Sequence, residues 1–312
     1  MRSDMKAVRD YKSLLLAAIT LAVFVIALWV LRHSLAKLRL SDVLASLQEE
    51  RWTNVAACAF FSACSYGMLT FYDYLALRGV RHPLPWHRVA LTSFIAFAIG
   101  HSAGLSWLSG GSVRYRSYSK DGLNTLEIAG VVGLVSVTFA LGVGTLLGLS
   151  LLLESHQASR ILHLDYGWEA RALGAAIFII ILGYLLLTQR VKRPLHIRGN
   201  DFRLPPFHIS LGQIAVASVD LCLAAASLYV LLPADIPLHF ISFVGLYVLA
   251  IQSGVISNVP GGVGVFESVL IQLLPGGATA ELVSAVLLYR FIYYFIPLVF
   301  GVGLFGGREA MR

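Results

Sequence analysis

The sequence contains few charged residues. Asp, Glu, Lys and Arg make up 13% of its 312 residues, whereas hydrophobic residues make up 57%, and the mean hydropathy is +0.76. Soluble domains carry about 25% charged residues, so an ordinary soluble domain is excluded. The hydrophobic residues lie in long uncharged runs, which predicts a membrane protein with several spans. Segments of about ten residues with alternating polarity, typical of transmembrane barrels, are absent, so the predicted fold class is all-α.

Cysteine is scarce, and the sequence lacks the common cofactor motifs. The three cysteines, Cys58, Cys64 and Cys222, lie in hydrophobic runs and form neither a disulfide framework nor a metal-binding spacing. No P-loop, dinucleotide-binding glycine motif or paired cysteine motif is present. We therefore expect no cofactor, no metal and no nucleotide hydrolysis by the chain itself, and we expect that the protein is not an enzyme.

The net charge of +7 could suggest binding to nucleic acid. The basic residues, however, lie in short segments between the hydrophobic runs. Membrane topology and anionic lipid explain this distribution better, since Lys and Arg are enriched in cytoplasmic loops. We therefore expect no nucleic-acid partner.

Six hydrophobic runs are predicted to cross the membrane once. They are residues 13–31, 53–72, 128–153, 172–188, 209–231 and 282–304. The first is too long for the apolar core of a signal peptide and is interpreted as a retained span. Two further runs, 89–113 and 239–274, are interrupted by glycine or proline.

The distribution of Lys and Arg predicts how the interrupted runs enter the membrane. Basic residues are concentrated at both termini and in segments 77–88, 114–124 and 189–208. We assign all of these to the cytoplasm. Run 89–113 lies between two basic segments, so we expect a re-entrant hairpin bent near Gly100–Gly104. Run 239–274 is expected to form a second hairpin from the opposite face.

The two halves of the chain then have the same order of elements. Residues 1–153 and 172–312 each give two spans, a hairpin and a span, in opposite orientations, which is an inverted-topology repeat. Together they form a single membrane domain over residues 1–312. Residues 34–52 stand outside the repeat. Leucine and valine recur there at helical spacing, which predicts an amphipathic helix on the outer membrane interface.

The first interrupted segment offers candidates for binding a phosphate group. They are Ser109, Gly110, Gly111, Arg114 and Arg116. The glycines permit close approach of the backbone to a ligand, and a helix beginning at Ser112 would present its N-terminal amides to an anion. Arginine adds a bidentate donor. The alternative is that both arginines only anchor the cytoplasmic side.

The second interrupted segment combines a backbone break with charges at membrane depth. Its candidates are Asn258, Pro260, Gly261, Gly262 and Glu267, with Arg290 and Asp220 in neighbouring spans. A charge at that depth costs about 2.5–3.5 kcal/mol, so Arg290 is expected to pair with Glu267 or Asp220. The pair is either structural or breaks during transport. Glu267 alternatively complements only the dipole of its own helix. Asp73 is expected at the cytoplasmic interface.

Three strings resemble one known family. They are Arg114–Gly122, Pro260–Glu267 and Tyr289–Pro297, and they resemble the lysylphosphatidylglycerol synthase transmembrane-region family. That family includes the flippase half of MprF, and this sequence looks most similar to its stand-alone bacterial inner-membrane members of the YbhN type. The resemblance implies lipid translocation. The aminoacyl-transferase domain of larger members does not follow Arg312, so we expect no lipid aminoacylation.

The sequence therefore predicts a phospholipid translocase of a bacterial inner membrane, acting on charged headgroups, with both termini cytoplasmic. Anionic membrane phospholipids are the expected partners. One alternative is a secondary carrier for a small polar solute. Another is a non-transporting partner of a lipid-synthesis enzyme, for which the basic residues Arg190, Lys192 and Arg193 would be needed. Gly100–Gly104 also matches the G-x-S-x-G serine-hydrolase motif. That motif requires a strand-turn-helix context, which disfavours an intramembrane protease using Ser102.

Overall fold

The structure is a computed structural model. It describes residues 40–103, 106–155, 166–191, 195–197, 200–202, 204–236, 238–275 and 277–310. The predicted first span, residues 13–31, lies outside these described residues, as do Lys192 and Arg193.

Helices account for nearly all of the described structure. They are α1 (Leu40–Glu49), α2 (Trp52–Gly79), α3 (Trp86–Ala103), α4 (Ser106–Tyr118), α5 (Thr125–Leu153), α6 (Gly167–Arg190), α7 (Phe207–Tyr229), α8 (Phe240–Ser257), α9 (Val265–Leu273), α10 (Ala280–Arg290) and α11 (Ile296–Ala310). A 3-10 turn, Pro260–Gly262, precedes α9, and a π-helical turn, Phe291–Phe295, joins α10 to α11. The predicted all-α membrane fold is confirmed.

Six helical segments are long and apolar enough to cross a membrane: α2, α5, α6, α7, α8 and the continuous α10–α11 segment from Ala280 to Gly307. Five of them cover predicted spans. The sixth, α8, belongs to run 239–274, which the sequence assigned to a hairpin. Six such helices are thus present in the described residues, and the predicted span 13–31 lies outside them.

Two short elements lie outside the spans. The basic segment 189–208 contains an antiparallel pair of strands, β1 (Leu195–Ile197) and β2 (Asn200–Phe202), in which Leu195 lies opposite Phe202. Hydrophobicity alone did not predict this pair. Helix α1 lies within the segment 34–52, for which the sequence predicts an amphipathic helix. It packs against α10, and its location on the outer interface stays a prediction.

Small residues let the central helices approach closely. A Cβ on Gly142 of α5 would lie 2.5 Å from the Cβ of Ala217 on α7, and one on Gly245 of α8 would clash with Ser150 of α5. Such small-residue contacts are typical of helix packing in membranes, where lipid competes with apolar side chains but not with close backbone contact. They hold α5, α7 and α8 together at the centre of the protein.

Helices α3 and α4 form a helical hairpin. Arg88 near the start of α3 bonds to Asp121, just past the end of α4, with 2.7 Å between Nη1 and Oδ1. The two helices pack along each other, and a Cβ on Gly110 would lie 2.9 Å from the carbonyl oxygen of Ala96. The predicted bend is close to the observed one, because α3 ends at Ala103 and α4 begins at Ser106.

Helices α8 and α9 form a second helical hairpin around the Pro260–Gly262 turn. Asn258 ends α8 in a left-handed conformation with φ of 55°. Gly264, with φ of 83°, precedes α9. A Cβ on Gly262 would lie 3.1 Å from the Cα of Gly254. Glycine permits both the positive φ angles and the close return of the chain to α8.

Candidate functional site

The two interrupted segments contact each other. Gly261, in the turn of the second hairpin, lies against the end of α3 in the first. A Cβ on Gly261 would lie 3.6 Å from the carbonyl oxygen of Ser102 and 3.7 Å from that of His101. Gly261 has a φ of 61°, which L side chains rarely adopt. The backbone breaks that the sequence marked in two halves of the chain are therefore neighbours in space.

Arg290 holds the second hairpin at this contact. Its Nε donates to Oε1 of Glu267 at 2.6 Å, its Nη1 to the carbonyl of Gly261 at 2.5 Å and its Nη2 to that of Gly262 at 3.4 Å. The other oxygen of Glu267 accepts from the amide of Gly264 at 2.7 Å. The guanidinium of Arg290 thus links the turn to the start of α9. We call Arg290, Glu267, Gly261, Gly262 and Gly264 the tip cluster.

Aromatic rings cover the guanidinium of Arg290. The ring of Tyr294 lies 4.5 Å away and that of Phe266 4.9 Å away, both within range of a cation–π interaction. The predicted ion pair of Arg290 with Glu267 is present. The alternative prediction, that Arg290 pairs with Asp220, is wrong, because Asp220 bonds to side chains of α2.

Asp73 and Arg114 form a buried ion pair between α2 and α4. The Nε and Nη2 of Arg114 donate to the two carboxylate oxygens of Asp73, each at 2.7 Å. Ser93 and Tyr118 add one donor each, both at 2.9 Å. Asp73 is 0% exposed and Arg114 3%. The sequence did not predict this burial, which arises because α2 continues to Gly79 and the first hairpin covers Asp73. The interfacial depth of Asp73 stays a prediction.

The phosphate site predicted at Ser109–Gly111 does not have the expected backbone. A helix was expected to begin at Ser112, but α4 begins at Ser106 and includes these residues. Their amides therefore lie inside a helix rather than at its N-terminus. Gly110 instead provides the close contact with α3. The guanidinium of Arg114, which the sequence predicted to bind phosphate, donates to the carboxylate of Asp73.

Arg116, the other predicted phosphate ligand, differs from Arg114 in its surroundings. It is exposed near the end of α4. Its guanidinium lies 5.7 Å from the ring centre of Phe305 on α11. The two arginines of the first segment thus have separate environments, one inside the hairpin and one on its surface.

Asp220 occupies a third polar cluster, on α7. Its Oδ1 accepts from the hydroxyl of Ser65 at 2.6 Å and its Oδ2 from that of Tyr72 at 2.9 Å. The oxygen of Ser65 also lies 2.8 Å from the hydroxyl of Tyr293. Sequence analysis missed these three partners, because single hydroxyl groups in apolar helices carry no pattern that distinguishes them from ordinary core residues.

The π-helical turn brings Tyr293 to this cluster. Pro297 has no N–H for the carbonyl of Tyr293, four residues earlier. The hydroxyl of Tyr66 donates to that carbonyl at 3.2 Å. The Tyr293 ring is nearly parallel to that of His101, with 6.4 Å between centres. The run of tyrosines followed by proline is the sequence signal that could have marked this turn.

The remaining predicted residues have local roles. The side-chain amide of Asn258 donates to the carbonyl of Ile256 at 3.2 Å, and Pro260 begins the 3-10 turn.

The Oγ of Ser102 and the Nδ1 of His101 are buried without a hydrogen-bond partner among the described residues. No histidine in the described chain therefore bonds to Ser102 as a catalytic base. The described residues also contain no metal-binding cluster of His, Cys, Asp and Glu.

Comparison with known proteins gives a family and several relatives. The model of the family described as "Lysylphosphatidylglycerol synthase TM region" matches residues 16–301. The chain is 36% identical to the uncharacterized protein slr0712 of Synechocystis, over 90% of this chain and 88% of that protein. It is 32% identical to the inner membrane protein YbhN of Escherichia coli, over 75% and 74% respectively.

The chain also matches part of a larger protein. It is 25% identical to the phosphatidylglycerol lysyltransferase of Staphylococcus haemolyticus, over 88% of this chain but 32% of that protein. This chain therefore corresponds to about one third of the lysyltransferase. The family's name and the name of this relative both concern a phosphatidylglycerol lipid.

Proposed function

Because the chain belongs to the lysylphosphatidylglycerol synthase transmembrane-region family, we propose that it is a translocase for anionic phospholipids in a bacterial inner membrane. The observation that carries the proposal is the contact of the two hairpins, where Gly261 meets the carbonyls of His101 and Ser102. Interrupted helices at matching places in two halves are where transporters bind their substrates. The tip cluster places a cation and a carboxylate beside this contact.

The lengths of the hairpin arms support a re-entrant arrangement. Helix α4 has 13 residues and α9 has 9. At 1.5 Å per residue they extend about 20 and 14 Å, whereas the hydrocarbon core is about 30 Å thick. Neither of these two shorter arms crosses the membrane alone, whereas their partners α3 and α8 have 18 residues each. In our proposal the two hairpins enter from opposite faces and meet near the middle.

The order of elements supports an inverted repeat. In residues 1–153, α2 is followed by a hairpin and then by α5. In residues 172–312, α7 is followed by a hairpin and then by α10 and α11. The corresponding helices α2 and α7 pack against each other along their length. We propose that the two halves move relative to each other and that the lipid tails stay outside, in the bilayer.

The charged residues take different parts in this proposal. Arg116, exposed on the first hairpin, meets the headgroup phosphate at the cytoplasmic leaflet. Arg290 and Glu267 contact the headgroup near the middle of the membrane. Arg114 keeps α4 in place through Asp73, and its bidentate geometry serves that carboxylate instead of the lipid. A buried pair of this kind fixes one arrangement of its helices, because separating the partners leaves a charge unpaired.

The test is translocation of labelled lipids with different headgroups in proteoliposomes. We expect the wild-type protein to move anionic lipids, and Glu267→Gln and Arg116→Gln to slow this movement at least tenfold. Glu281→Gln is the matched control, because Glu281 also lies in the first turn of its helix but is exposed and outside the tip cluster. It should retain the wild-type rate.

Other results would favour the alternatives. A wild-type protein that moves no lipid, with or without a proton gradient, would overturn the translocase proposal. Transport of a polar solute under the same conditions would identify a solute carrier. If only variants of Arg190, Lys192 and Arg193 lost the cellular function, the protein would instead be a partner of a lipid-synthesis enzyme.

A further inference from the structure

Asp220 is a buried carboxylate without a cationic partner. It lies near the middle of α7 and is 3% exposed. Its hydrogen bonds come from Ser65 and Tyr72, both of which are neutral hydroxyl donors. Within the described chain, no Lys, Arg or His forms an ion pair with it. The buried carboxylate Asp73 and the partly buried carboxylate Glu267, by contrast, each bond to an arginine.

A carboxylate in such a place is costly in its charged form. Burial without a counter-charge disfavours ionisation, and a buried acid commonly takes up a proton instead. Acidic residues inside membrane spans mark proton or ion pathways in many transporters. The surroundings of Asp220 therefore favour a group that exchanges a proton over a permanent structural charge.

The hydroxyl chain suits both protonation states of Asp220. When the carboxylate is charged, Tyr293 donates to Ser65 and Ser65 donates to Asp220. When Oδ1 carries a proton, it donates to Ser65, which turns its own hydrogen towards Tyr293. The oxygen separations of 2.6 and 2.8 Å allow either direction, because a hydroxyl group can donate and accept. No side chain has to move apart from these hydrogens.

The titratable groups that interact electrostatically with Asp220 in the described chain are neutral in their ordinary forms. They are Tyr66 and Tyr72 on α2, Tyr247 on α8, Tyr293 in the π-helical turn and Cys222 on α7 itself. Farther out, the ring of His101 on α3 stacks on Tyr293. Helices α6 and α10, which also pack against α7, carry Tyr184 and Arg290, and Arg290 is paired with Glu267. Helix α5, which also packs against α7, has no titratable side chain from Ile128 to Leu153. The nearby charges of Asp73 and Arg114 compensate each other. Asp220 is thus the one carboxylate in this neighbourhood without a fixed counter-charge.

We propose that Asp220 is a proton-binding site, and that uptake and release of this proton accompany the movement of the two halves. The reaction is a simple addition of a proton from water to Oδ1, with reorientation of the hydroxyls of Ser65 and Tyr293. The site touches α2, α7 and the π-helical turn, so its charge acts on elements of both proposed repeats. The coupling to movement rests on the proposed translocase function, whereas the proton site does not.

Proton binding is tested without transport by infrared titration of the full chain in lipid vesicles. A protonated carboxyl group has a C=O stretching band that the ionised form lacks. The chain has 17 Asp and Glu residues, and exposed carboxylates also protonate on acidification. We therefore expect the acid-induced band of the wild-type protein to contain one component that is missing in Asp220→Asn. Asp235→Asn is the control, because Asp235 is exposed between α7 and α8, and it should retain that component.

Ser65→Ala keeps the test valid if Asp220→Asn does not fold. This variant retains the acid and removes one of the two donors to its charged form. We expect the midpoint of the Asp220 component to move towards higher pH by about one pH unit. A titration identical to wild type in Ser65→Ala, or a band that persists unchanged in Asp220→Asn, would overturn the proton site.

Coupling is tested in proteoliposomes with and without an imposed pH gradient. We expect the gradient to change the rate of lipid movement at least threefold in wild type and not to change it in Asp220→Asn. Lipid movement that ignores the gradient in wild type would overturn the coupling while leaving the translocase intact. A titrating Asp220 component without any lipid movement would uphold the proton site and overturn the translocase.

Discussion

Tyr72 and Asp73 are adjacent on α2 but belong to two different buried clusters. The hydroxyl of Tyr72 donates to Asp220 on α7 at 2.9 Å, and the carboxylate of Asp73 binds Arg114 on α4. Successive side chains of a helix point about 100° apart, so one stretch of α2 contacts both the first hairpin and the second half of the chain. A displacement of α2 therefore affects both clusters together.

The buried ion pair should be important for stability. Asp73→Asn leaves Arg114 buried with no charged partner, and loss of one member of a buried pair costs about 3–5 kcal/mol. We expect this loss in the free energy of unfolding of the purified protein in detergent. His82→Gln, which removes the partly exposed contact with Glu127, should cost at most about 1 kcal/mol. Equal losses in the two variants would contradict the structural role of Asp73.

The tip cluster should control access to the second hairpin. Arg290→Gln removes the ion pair with Glu267 and the charged donors to the carbonyls of Gly261 and Gly262. A cysteine introduced at exposed Val263, in a background without the native cysteines, should then react with a maleimide several times faster. An unchanged rate would show that other contacts hold the turn.

Exchanging the two charges should not restore the tip cluster. In the double variant Glu267→Arg, Arg290→Glu, the carboxylate at position 290 cannot donate to the two carbonyls. We expect labelling at position 263 to remain as fast as in Arg290→Gln. A return to the wild-type rate would mean that the ion pair alone holds the turn.

Stability and transport should both require the left-handed backbone at Gly261. Gly261→Ala places a Cβ at a φ of 61°, which costs roughly 1–2 kcal/mol, at the contact between the hairpins. Gly303→Ala in α11 is the matched control, since nothing lies within 4 Å of a Cβ there and no positive φ is present. We expect reduced stability and transport only for Gly261→Ala, and similar effects in both variants would argue against the contact.

The contribution of the hydrogen bond from Tyr66 to Tyr293 to the free energy of unfolding should depend on Pro297. Tyr66→Phe removes the donor to a carbonyl that Pro297 cannot satisfy, with an expected cost of about 1 kcal/mol. In a Pro297→Ala background, the added N–H lies close to that carbonyl, and the cost should fall by about half or more. A double-mutant cycle on unfolding free energies measures this coupling, and simple additivity would contradict it.

Hydrophobicity and buried charge explain what the sequence could predict. Long apolar runs identified the helices because lipid leaves the backbone no other partners. The pairing of Arg290 with Glu267 followed from the cost of an isolated charge. Both arguments use local properties of the chain, and they located the two interrupted segments correctly.

Contacts between segments that are distant in the sequence could not be predicted from local hydrophobicity and charge. Asp73 follows an apolar run that ends at residue 72, so it resembled an interfacial residue. Only the packing of α3 and α4 against α2 buries it and supplies Arg114. The paired glycines of the first hairpin likewise resembled a loop, although Gly110 serves helix contact. The strands β1 and β2 depend on backbone pairing across a turn, which hydropathy does not report.

The close contact of Gly142 with Ala217 has a mechanical consequence. It joins α5 of the first half to α7 of the second, and the neighbouring contact of Ser150 with Gly245 extends it to α8. Backbones at this distance cannot slide past each other, since a shift along the helix would drive larger side chains into the space of the small ones. In the proposed movement of the two halves, this seam would therefore stay in place and act as the axis about which they rotate.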